Sequence, residues 1–261
     1  MSLSRRVFFF LAPLAPLLVP AEARSQSTPT AAKPDAFPAH EPDTVQEMVT
    51  VSHGNVARVR ELLSGRPALA NAGWDWGFGD WETPLGAASH VGNREIATLL
   101  LAAGARPSIF SAAVLGQVDV VRAFVAASPG IQRTRGPHGF TLLAHAHAGK
   151  AAEVVAFLES IQDANLPYRN EPLDDAARAA CVGEYGFGAG ATQWLTVSAT
   201  PRGSLQIRRE GAFDRALFHL GGLVFHPMGA EAVRIRFAPG TPSHSVTVED
   251  GTQLMTARRL R

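Results

Sequence analysis

The sequence contains one cysteine, Cys181, so no disulfide bond can form within the chain. The fold must therefore be held together by packing, and we interpret Cys181 as a buried strand residue rather than a nucleophile. An excess of one charge is also lacking, because 24 basic and 23 acidic residues leave a formal net charge of +1. This balance gives no electrostatic reason to expect a nucleic acid or an anionic membrane surface as a partner.

Motifs of nucleophilic catalysis are absent as well. The sequence contains neither a Gly-x-Ser-x-Gly elbow nor a Ser-x-x-Lys motif. The glycine-rich stretch at 183–190 is not followed by a predicted helix, whose N–H groups are what a phosphate-binding loop presents. The sequence therefore predicts no catalytic residue and no cofactor.

The histidines do not show the spacing of a metal site. His145 and His147 are two residues apart, so on a helix they point about 200° apart and cannot chelate one ion together. His219 and His226 flank a predicted hairpin turn, and His244 lies in a later turn. A zinc site built from these last three would need a further ligand at a recognisable spacing, so we predict no metal.

The first residues have the features of an export signal. Arg5 and Arg6 precede the apolar run Val7–Val19, which is shorter than the roughly 20 residues that a transmembrane helix needs. The tripeptide Ala21-Glu22-Ala23 fits signal peptidase, so cleavage is predicted after Ala23. The paired arginines indicate a twin-arginine signal, and the alternative is an ordinary secretory signal. We expect a protein in the periplasm or secreted, without a stable membrane anchor.

After a predicted flexible linker at 24–43, a helix–turn–helix pattern recurs four times. Apolar residues lie five, eight and nine residues after each turn glycine, a spacing that places them on one face of a helix. The turn glycines are Gly54, Gly92, Gly116 and Gly149, and the predicted repeat core comprises Val59, Leu62, Leu100, Val121, Phe124, Val154 and Leu158.

The second segment carries the clearest motif. Thr83-Pro84-Leu85 starts its first helix, since threonine is a good cap and proline fits the first helical position, and Gly104 ends its second helix. This pattern resembles the ankyrin repeat, and the four segments together resemble bacterial exported ankyrin proteins with degenerate repeats. The match departs from the family at Gly86, where histidine is usual, and at Trp81, where glycine is usual. The resemblance implies an α-solenoid over 44–165 with a concave partner-binding face.

Beyond a linker at 166–175, the apolar period changes from helical to alternating, as in "GSLQIRRE", "EAVRIRFA" and "SHSVTVED". About eight short strands in 176–261 predict a small antiparallel β-barrel or curled sheet. The order of strand and turn residues in "CVGEYGFG" and "WLTVSATPRGSLQIRR" resembles that of the small β-domain appended to some secreted serine-hydrolase-like proteins. The expected fold class is therefore an α+β multidomain protein, an ankyrin stack followed by a small β-domain.

The stretch "NAGWDWGFGDWETPL", residues 71–85, concentrates Trp74, Trp76, Phe78 and Trp81. The ankyrin resemblance implies a finger between two repeats, and tryptophan often dominates the binding energy of interfaces. The four aromatic residues are our candidate partner-binding site. The alternative is that they fold back onto the rest of the protein.

These observations predict a non-enzymatic protein–protein interaction module that binds an envelope protein, whose identity is unknown, through the concave face and the aromatic finger. The alternative is a small-ligand-binding protein that uses the interior of the β-domain. A third possibility is hydrolase or metal-dependent activity from His219, His226 and His244.

Overall fold

The structure is a computed structural model and describes residues 39–188, 190 and 192–260. The predicted signal peptide at 1–23 and most of the predicted linker at 24–43 lie outside the described residues, so export stays a prediction. In the described chain, helices come first and antiparallel strands follow. None of the described helices combines the length and the apolar character needed to cross a membrane.

The helices of the first part pack as consecutive pairs, each joined by a short turn. The first helices of successive pairs also pack against one another in a row. The bounds are α1 Pro42–Val51, α2 Val56–Gly65, α3 Pro84–His90, α4 Arg94–Ala102, α5 Ile109–Leu115, α6 Val118–Ala127, α7 Leu142–Ala148 and α8 Ala152–Ser160. Short 3₁₀ turns at Pro67–Asn71, Ile131–Arg133 and Pro137–Gly139 and a two-stranded hairpin, β1 Trp74–Asp75 and β2 Trp81–Glu82, lie between them.

Capping side chains determine where several of these helices begin. Thr83 caps α3 by accepting a hydrogen bond from the Gly86 N–H at 3.0 Å, and Pro84 takes the first helical position. Asn93 caps α4 and Thr141 caps α7 in the same way. Because the cap of α3 follows β2 directly, it fixes the hairpin relative to the helix.

Two turn glycines are required by close packing between helix pairs. A Cβ on Gly92, where φ is +78°, would lie 2.1 Å from the carbonyl oxygen of Ala148. A Cβ on Gly149 would lie 2.2 Å from the carbonyl oxygen of Val114. Both distances are far below a van der Waals contact, so no other residue fits without movement of the backbone.

The second part of the chain forms a closed barrel of eight antiparallel strands in the order β10-β3-β4-β5-β6-β7-β8-β9. A short helix, α9 Asp175–Cys181, leads into it, and the Asp174 side chain caps that helix. The strands are β3 Gly183–Gly186, β4 Trp194–Ala199, β5 Leu205–Arg209, β6 Arg215–Gly221, β7 Val224–Pro227, β8 Arg234–Phe237, β9 Ser245–Asp250 and β10 Gln253–Arg259.

Large side chains occupy the barrel interior. Tyr185, Phe225 and Phe237 pack there among branched aliphatic residues, and the Tyr185 hydroxyl donates to the carbonyl oxygen of Cys181 at 2.8 Å. An eight-stranded barrel has an interior just wide enough for side chains to fill it. Nothing in this packing favours the predicted binding of a small ligand inside the barrel.

The predicted fold class, an ankyrin solenoid followed by a small β-domain, is wrong. The structure is an α+β protein whose described residues include nine helices and a closed eight-stranded barrel, and His40–Arg261 form one compact unit. The buried residues of the helix pairs form two clusters, one around Met48 and Leu100 and one around Leu142 and Leu158, instead of one continuous seam. The regular spacing of the turn glycines predicts each helix–turn–helix unit. It does not determine whether neighbouring helix pairs pack around one common core.

The residues predicted as a repeat core do not share one environment. Phe124 is 39% exposed, so its assignment to a core is corrected, and Leu62 is half-buried. The remaining members are fully buried but are divided between the two clusters: Val59 and Leu100 in the first, and Val121, Val154 and Leu158 in the second.

Candidate metal centre

Four side chains from four separate segments converge beside the hairpin. His53 lies in the turn after α1, Glu82 on β2, His90 at the last position of α3, and His138 in the 3₁₀ turn Pro137–Gly139. Their ligand atoms all lie within 4.8 Å of one another. In the described part of the chain, this is the one group of three or more histidine, cysteine or acidic side chains that converges in this way.

The distances within this cluster are close to those between ligands of one metal ion. Glu82 Oε1 lies 2.9 Å from His90 Nε2, and Glu82 Oε2 lies 3.3 Å from His138 Nε2 and 3.7 Å from His53 Nε2. His53 Nε2 and His90 Nε2 are 3.1 Å apart. Two ligands about 2.0–2.2 Å from a common zinc ion are separated by about 3.0–3.5 Å at the usual coordination angles.

In His53 and His138, the Nδ1 atom points away from the cluster and makes a hydrogen bond. His53 Nδ1 lies 3.0 Å from the carbonyl oxygen of Thr50, and His138 Nδ1 lies 2.9 Å from Asp80 Oδ2. Because both partners can only accept, each Nδ1 carries the proton, and in the neutral ring the lone pair is on Nε2. Both Nε2 lone pairs therefore face the cluster centre.

Glu82 brings negative charge to that centre. Its side chain is fully buried, and one oxygen, Oε1, lies 2.9 Å from His90 Nε2 and has a donor only when that nitrogen carries a proton. The other oxygen, Oε2, accepts a hydrogen bond from the Trp76 indole N–H at 3.0 Å. A buried carboxylate oxygen without a donor is costly, and a cation between the four ligand atoms would satisfy it.

In the absence of a metal, the same groups hold a proton. Burial raises the pKa of Glu82, but hydrogen bonds from His138 and His90 outweigh it and lower the pKa to about 2. Burial lowers the pKa of His138, but the carboxylates of Asp80 and Glu82 outweigh it and raise the pKa to about 9. The cluster thus favours a positive charge at its centre, as a proton on His138 or as a metal ion.

Aromatic side chains enclose the centre. The Phe140 ring stacks on His90 with centroids 5.2 Å apart, and Phe213 packs edge-on against His138 at 4.6 Å. A cavity of about 150 Å³ adjoins His138 and is lined by Phe140, Phe213, Asp214, Arg215 and Met228. His53 is the most open ligand, with a side chain 32% exposed. The centre is therefore sheltered from bulk water but not sealed.

A second cavity, of about 540 Å³, lies near the hairpin and the loops before α5 and α7. Its lining includes Trp81, Arg106, Phe110 and Pro137, and also Asp80, the partner of His138. Apolar and cationic groups thus line a space close to the residues that hold the centre.

The donor set selects among metal ions. Three imidazole nitrogens and one carboxylate oxygen suit Zn²⁺ and other divalent first-row ions, whereas Mg²⁺ and Ca²⁺ prefer oxygen ligands throughout. The residues present therefore fit a zinc-like ion.

The candidate aromatic residues are not all available to a partner. Trp81 is 64% exposed, but Trp76 donates to the buried Glu82 and packs against Phe213. Phe78 packs against the barrel core, and Trp74 is half-buried against Trp76. Whether the segment binds a partner stays a prediction, with Trp81 as the exposed member.

The histidines considered in the sequence do not come together. Both ring nitrogens of His219 face backbone carbonyl oxygens, those of Glu171 at 3.1 Å and Gly222 at 2.7 Å. His226 is buried against Phe218, His244 is exposed, and His147 is exposed on α7. His145 is buried, with Nδ1 bonded to the carbonyl oxygen of Thr141.

Sequence reasoning missed all four members of the cluster. A signal is present in the sequence: "SHGN" follows α1 and "SHVGN" spans the end of α3, so two successive pairs each carry a histidine one or two residues before the turn glycine. These two histidines come close because α1 and α3 pack side by side. The spacing along the chain alone does not reveal this.

Comparisons with known proteins give no assignment. No family model matches the chain, and no curated protein matches it significantly. Among solved structures, a crystal structure of SurE aligns with 24% identity and a TM-score of 0.26, covering 44% of this chain and 27% of the SurE chain. A TM-score of this size does not establish a shared fold.

Two predictions are corrected at this point. The ankyrin prediction and the predicted relation of the barrel to domains of serine-hydrolase-like proteins are corrected: the chain matches no family model, and its helix pairs divide their buried residues between two clusters. The prediction of a protein without enzymatic activity is also corrected, because the buried cluster offers nitrogen and oxygen ligands that can hold a divalent metal ion.

Proposed function

We propose that this protein is a metal-dependent hydrolase. Its centre holds one divalent zinc-like ion through the Nε2 atoms of His53, His90 and His138 and the carboxylate of Glu82. Held by these residues, an ion would supply an activated water molecule for attack on a substrate that enters beside His138. No substrate is assigned beyond a hydrolysable bond next to an apolar group.

One observation carries this proposal. The ligand atoms of His53, Glu82, His90 and His138 converge within 4.8 Å, and the Nδ1 atoms of His53 and His138 donate outward. When these two rings are neutral, their Nε2 lone pairs and the Glu82 carboxylate face one another. A metal ion is the group that all of these atoms can bind at once.

The chemistry follows from the charge of the ion. A bound Zn²⁺ would lower the pKa of its water to about 7 and so supply hydroxide at neutral pH. The exposed edge of His53 and the cavity at His138 give the water and the substrate access to the centre.

The apolar cavity supports substrate binding at this position. Phe140, Phe213 and Met228 line its 150 Å³, which is sufficient for a small apolar group and too small for a large ligand. Burial beside the metal also excludes bulk water, which strengthens electrostatic stabilisation of the charge that develops during attack.

The test measures metal content and hydrolysis on the purified full chain. We expect one zinc ion per chain after incubation with Zn²⁺ and dialysis. Hydrolysis of p-nitrophenyl acetate or p-nitrophenyl phosphate should appear with the metal and disappear with a chelator. His90→Ala should lose both, while His147→Ala, which changes an exposed histidine of the neighbouring helix α7, should keep both.

Two results would overturn the proposal. A wild-type chain that binds no zinc at micromolar concentration would show that hydrogen bonds alone hold the cluster. A chain that binds zinc with equal affinity in the wild type and in His90→Ala would place the metal elsewhere. Zinc binding without hydrolysis of either ester would retain the metal centre and reject the hydrolase.

A second function rests on a different observation. Trp81 is 64% exposed and borders the 540 Å³ cavity together with Arg106. This supports the proposal that the aromatic segment 71–85 contacts another molecule, for which an envelope protein remains the expected partner. Trp81→Ala should weaken that contact without lowering the melting temperature, and a large fall in melting temperature would count against it.

A further inference from the structure

We propose that Asp80 is a positioning residue of the metal centre, and that Arg215 of the barrel strand β6 holds Asp80 in place. The inference rests on the proposed metal centre and deepens it, because it assigns the orientation of a ligand to a residue outside the ligand set. It also makes the binding of the ion depend on the barrel, which supplies none of the four ligands.

Asp80 binds His138 at two points. Its Oδ2 lies 2.9 Å from His138 Nδ1, and its Oδ1 accepts a hydrogen bond from the His138 backbone N–H at 2.9 Å. The first contact fixes the tautomer and the ring plane, so that Nε2 faces Glu82. The second holds the backbone of His138, whose φ of +58° lies in the left-handed region that a side chain disfavours.

Arg215 anchors Asp80 from the barrel. Its Nη1 lies 2.7 Å from Asp80 Oδ2 and donates to the carbonyl oxygen of Met228 at 3.2 Å. Its Nη2 donates to the carbonyl oxygen of Trp76 at 3.4 Å. Trp76 in turn donates its indole N–H to Glu82, so one barrel arginine supports two of the metal ligands through two different residues.

Burial makes this arrangement rigid. Asp80 is 4% exposed and Arg215 is 5% exposed, so neither charge has bulk water as an alternative partner. Interactions between such groups are strong, and removing one partner leaves the other charge uncompensated. His138 is therefore held in its orientation before a metal ion arrives.

An ion pair that only stabilises the fold is the competing explanation. It predicts that changes at Asp80 lower the melting temperature of the metal-free and metal-loaded protein equally. A positioning role predicts in addition a weaker affinity for the metal and an altered ligand field in the folded protein. Changes to a residue behind a ligating histidine typically cost 10–100-fold in metal affinity, so the effect is measurable.

The experiment uses the full chain, with Zn²⁺ affinity measured by competition with a chelator and Co²⁺ absorption as a probe of geometry. In Asp80→Asn, we expect roughly 10–100-fold weaker Zn²⁺ binding and a changed Co²⁺ spectrum. The matched control is Asp119→Asn, an exposed aspartate of α6 that is paired at the surface with Arg122 at 3.3 Å. The control should match the wild type in both measurements.

A double variant keeps the test decisive if Asp80→Asn unfolds because Arg215 is left unpaired. Asp80→Asn with Arg215→Met removes both buried charges, and we expect it to fold and still bind Zn²⁺ weakly. Wild-type affinity and Co²⁺ spectrum in either folded variant would overturn the inference, as would failure of both variants to fold. A wild-type chain that binds no metal would instead reject the proposed function itself.

Discussion

His53 and His90 face one another through their Nε2 atoms at 3.1 Å, although they are 37 residues apart in the chain. His53 lies in the turn after α1, His90 ends α3, and α1 packs against α3, so the two rings meet across the boundary between neighbouring pairs. The fully buried Glu82 and the loop residue His138 complete the cluster. The centre thus depends on how helices, hairpin and loop pack together, and this gives the predictions below.

Binding of Zn²⁺ should stabilise the whole protein. The ligands come from four segments that are brought together only in the folded chain, so the ion binds the folded state and not the unfolded one. At a free concentration 100 times the dissociation constant, binding adds about 2.7 kcal/mol to the free energy of unfolding. Thermal unfolding with and without Zn²⁺ measures this, and a melting temperature that does not change with Zn²⁺ would contradict it.

Glu82→Gln should weaken Zn²⁺ binding more than any change outside the ligand set. The substitution keeps the size of a fully buried side chain and removes the negative charge that faces the three rings. We expect a loss larger than the roughly 10–100-fold caused by changes outside the ligand set. Isothermal titration calorimetry measures the affinity, and Glu159→Gln, beside the exposed His147, is the control. Equal affinities in the two variants would refute this role of Glu82.

Gly149→Ala should destabilise the fold through a steric clash. The new Cβ would lie 2.2 Å from the Val114 carbonyl oxygen, so the two helix pairs would have to move apart. Gly54→Ala is the matched control, because a Cβ there meets no atom within 4 Å. Overpacking typically costs 1–3 kcal/mol, and urea unfolding at neutral pH should show a loss of about 2 kcal/mol or more for Gly149→Ala alone. Similar losses for both would mean that the close approach is absent.

His145 should make stability fall in mild acid. Burial lowers the pKa of His145 to about 4, and the hydrogen bond to the Thr141 carbonyl oxygen only partly offsets this. The charge of His90 lowers this pKa further, whereas the charge of Glu82 raises it. The unfolded ring, with a pKa near 6.5, binds its proton first, so stability is lost as the pH falls from about 6.5 to about 4. The full effect is about 3 kcal/mol.

The measurement compares urea unfolding of the wild type and His145→Gln at pH 7 and pH 5. The variant lacks the titrating ring, so its stability should fall less over this interval. The difference between the two losses of stability isolates His145 from the other histidines, which are present in both proteins. Equal losses in the wild type and the variant would show that the buried ring does not contribute.

Sequence patterns locate many of the elements. Thr83 and Thr141 mark helix starts, and both cap helices. The alternation in "GSLQIRRE" assigns Leu205 and Ile207 to one face of a strand, and both are buried in the barrel. These signals are local, because a cap or an alternating strand involves residues a few positions apart.

The candidate site could not be found in that way. The resemblance to ankyrin repeats predicts roles for the aromatic segment and the turn glycines, whereas Asp80 and His138 are 58 residues apart and meet only in three dimensions. The register of α6 predicts a core position for Phe124, but its side chain is 39% exposed. A periodic pattern identifies a helix face and does not identify what covers it.

The short helices, their caps and the alternating strands can be predicted from the amino-acid sequence, because they depend on residues close together along the chain. The closure of the barrel, the division of the helical core and the meeting of three imidazoles with one buried carboxylate become visible only in the folded chain. Those outcomes depend on contacts between distant segments, whose free energies no local pattern contains.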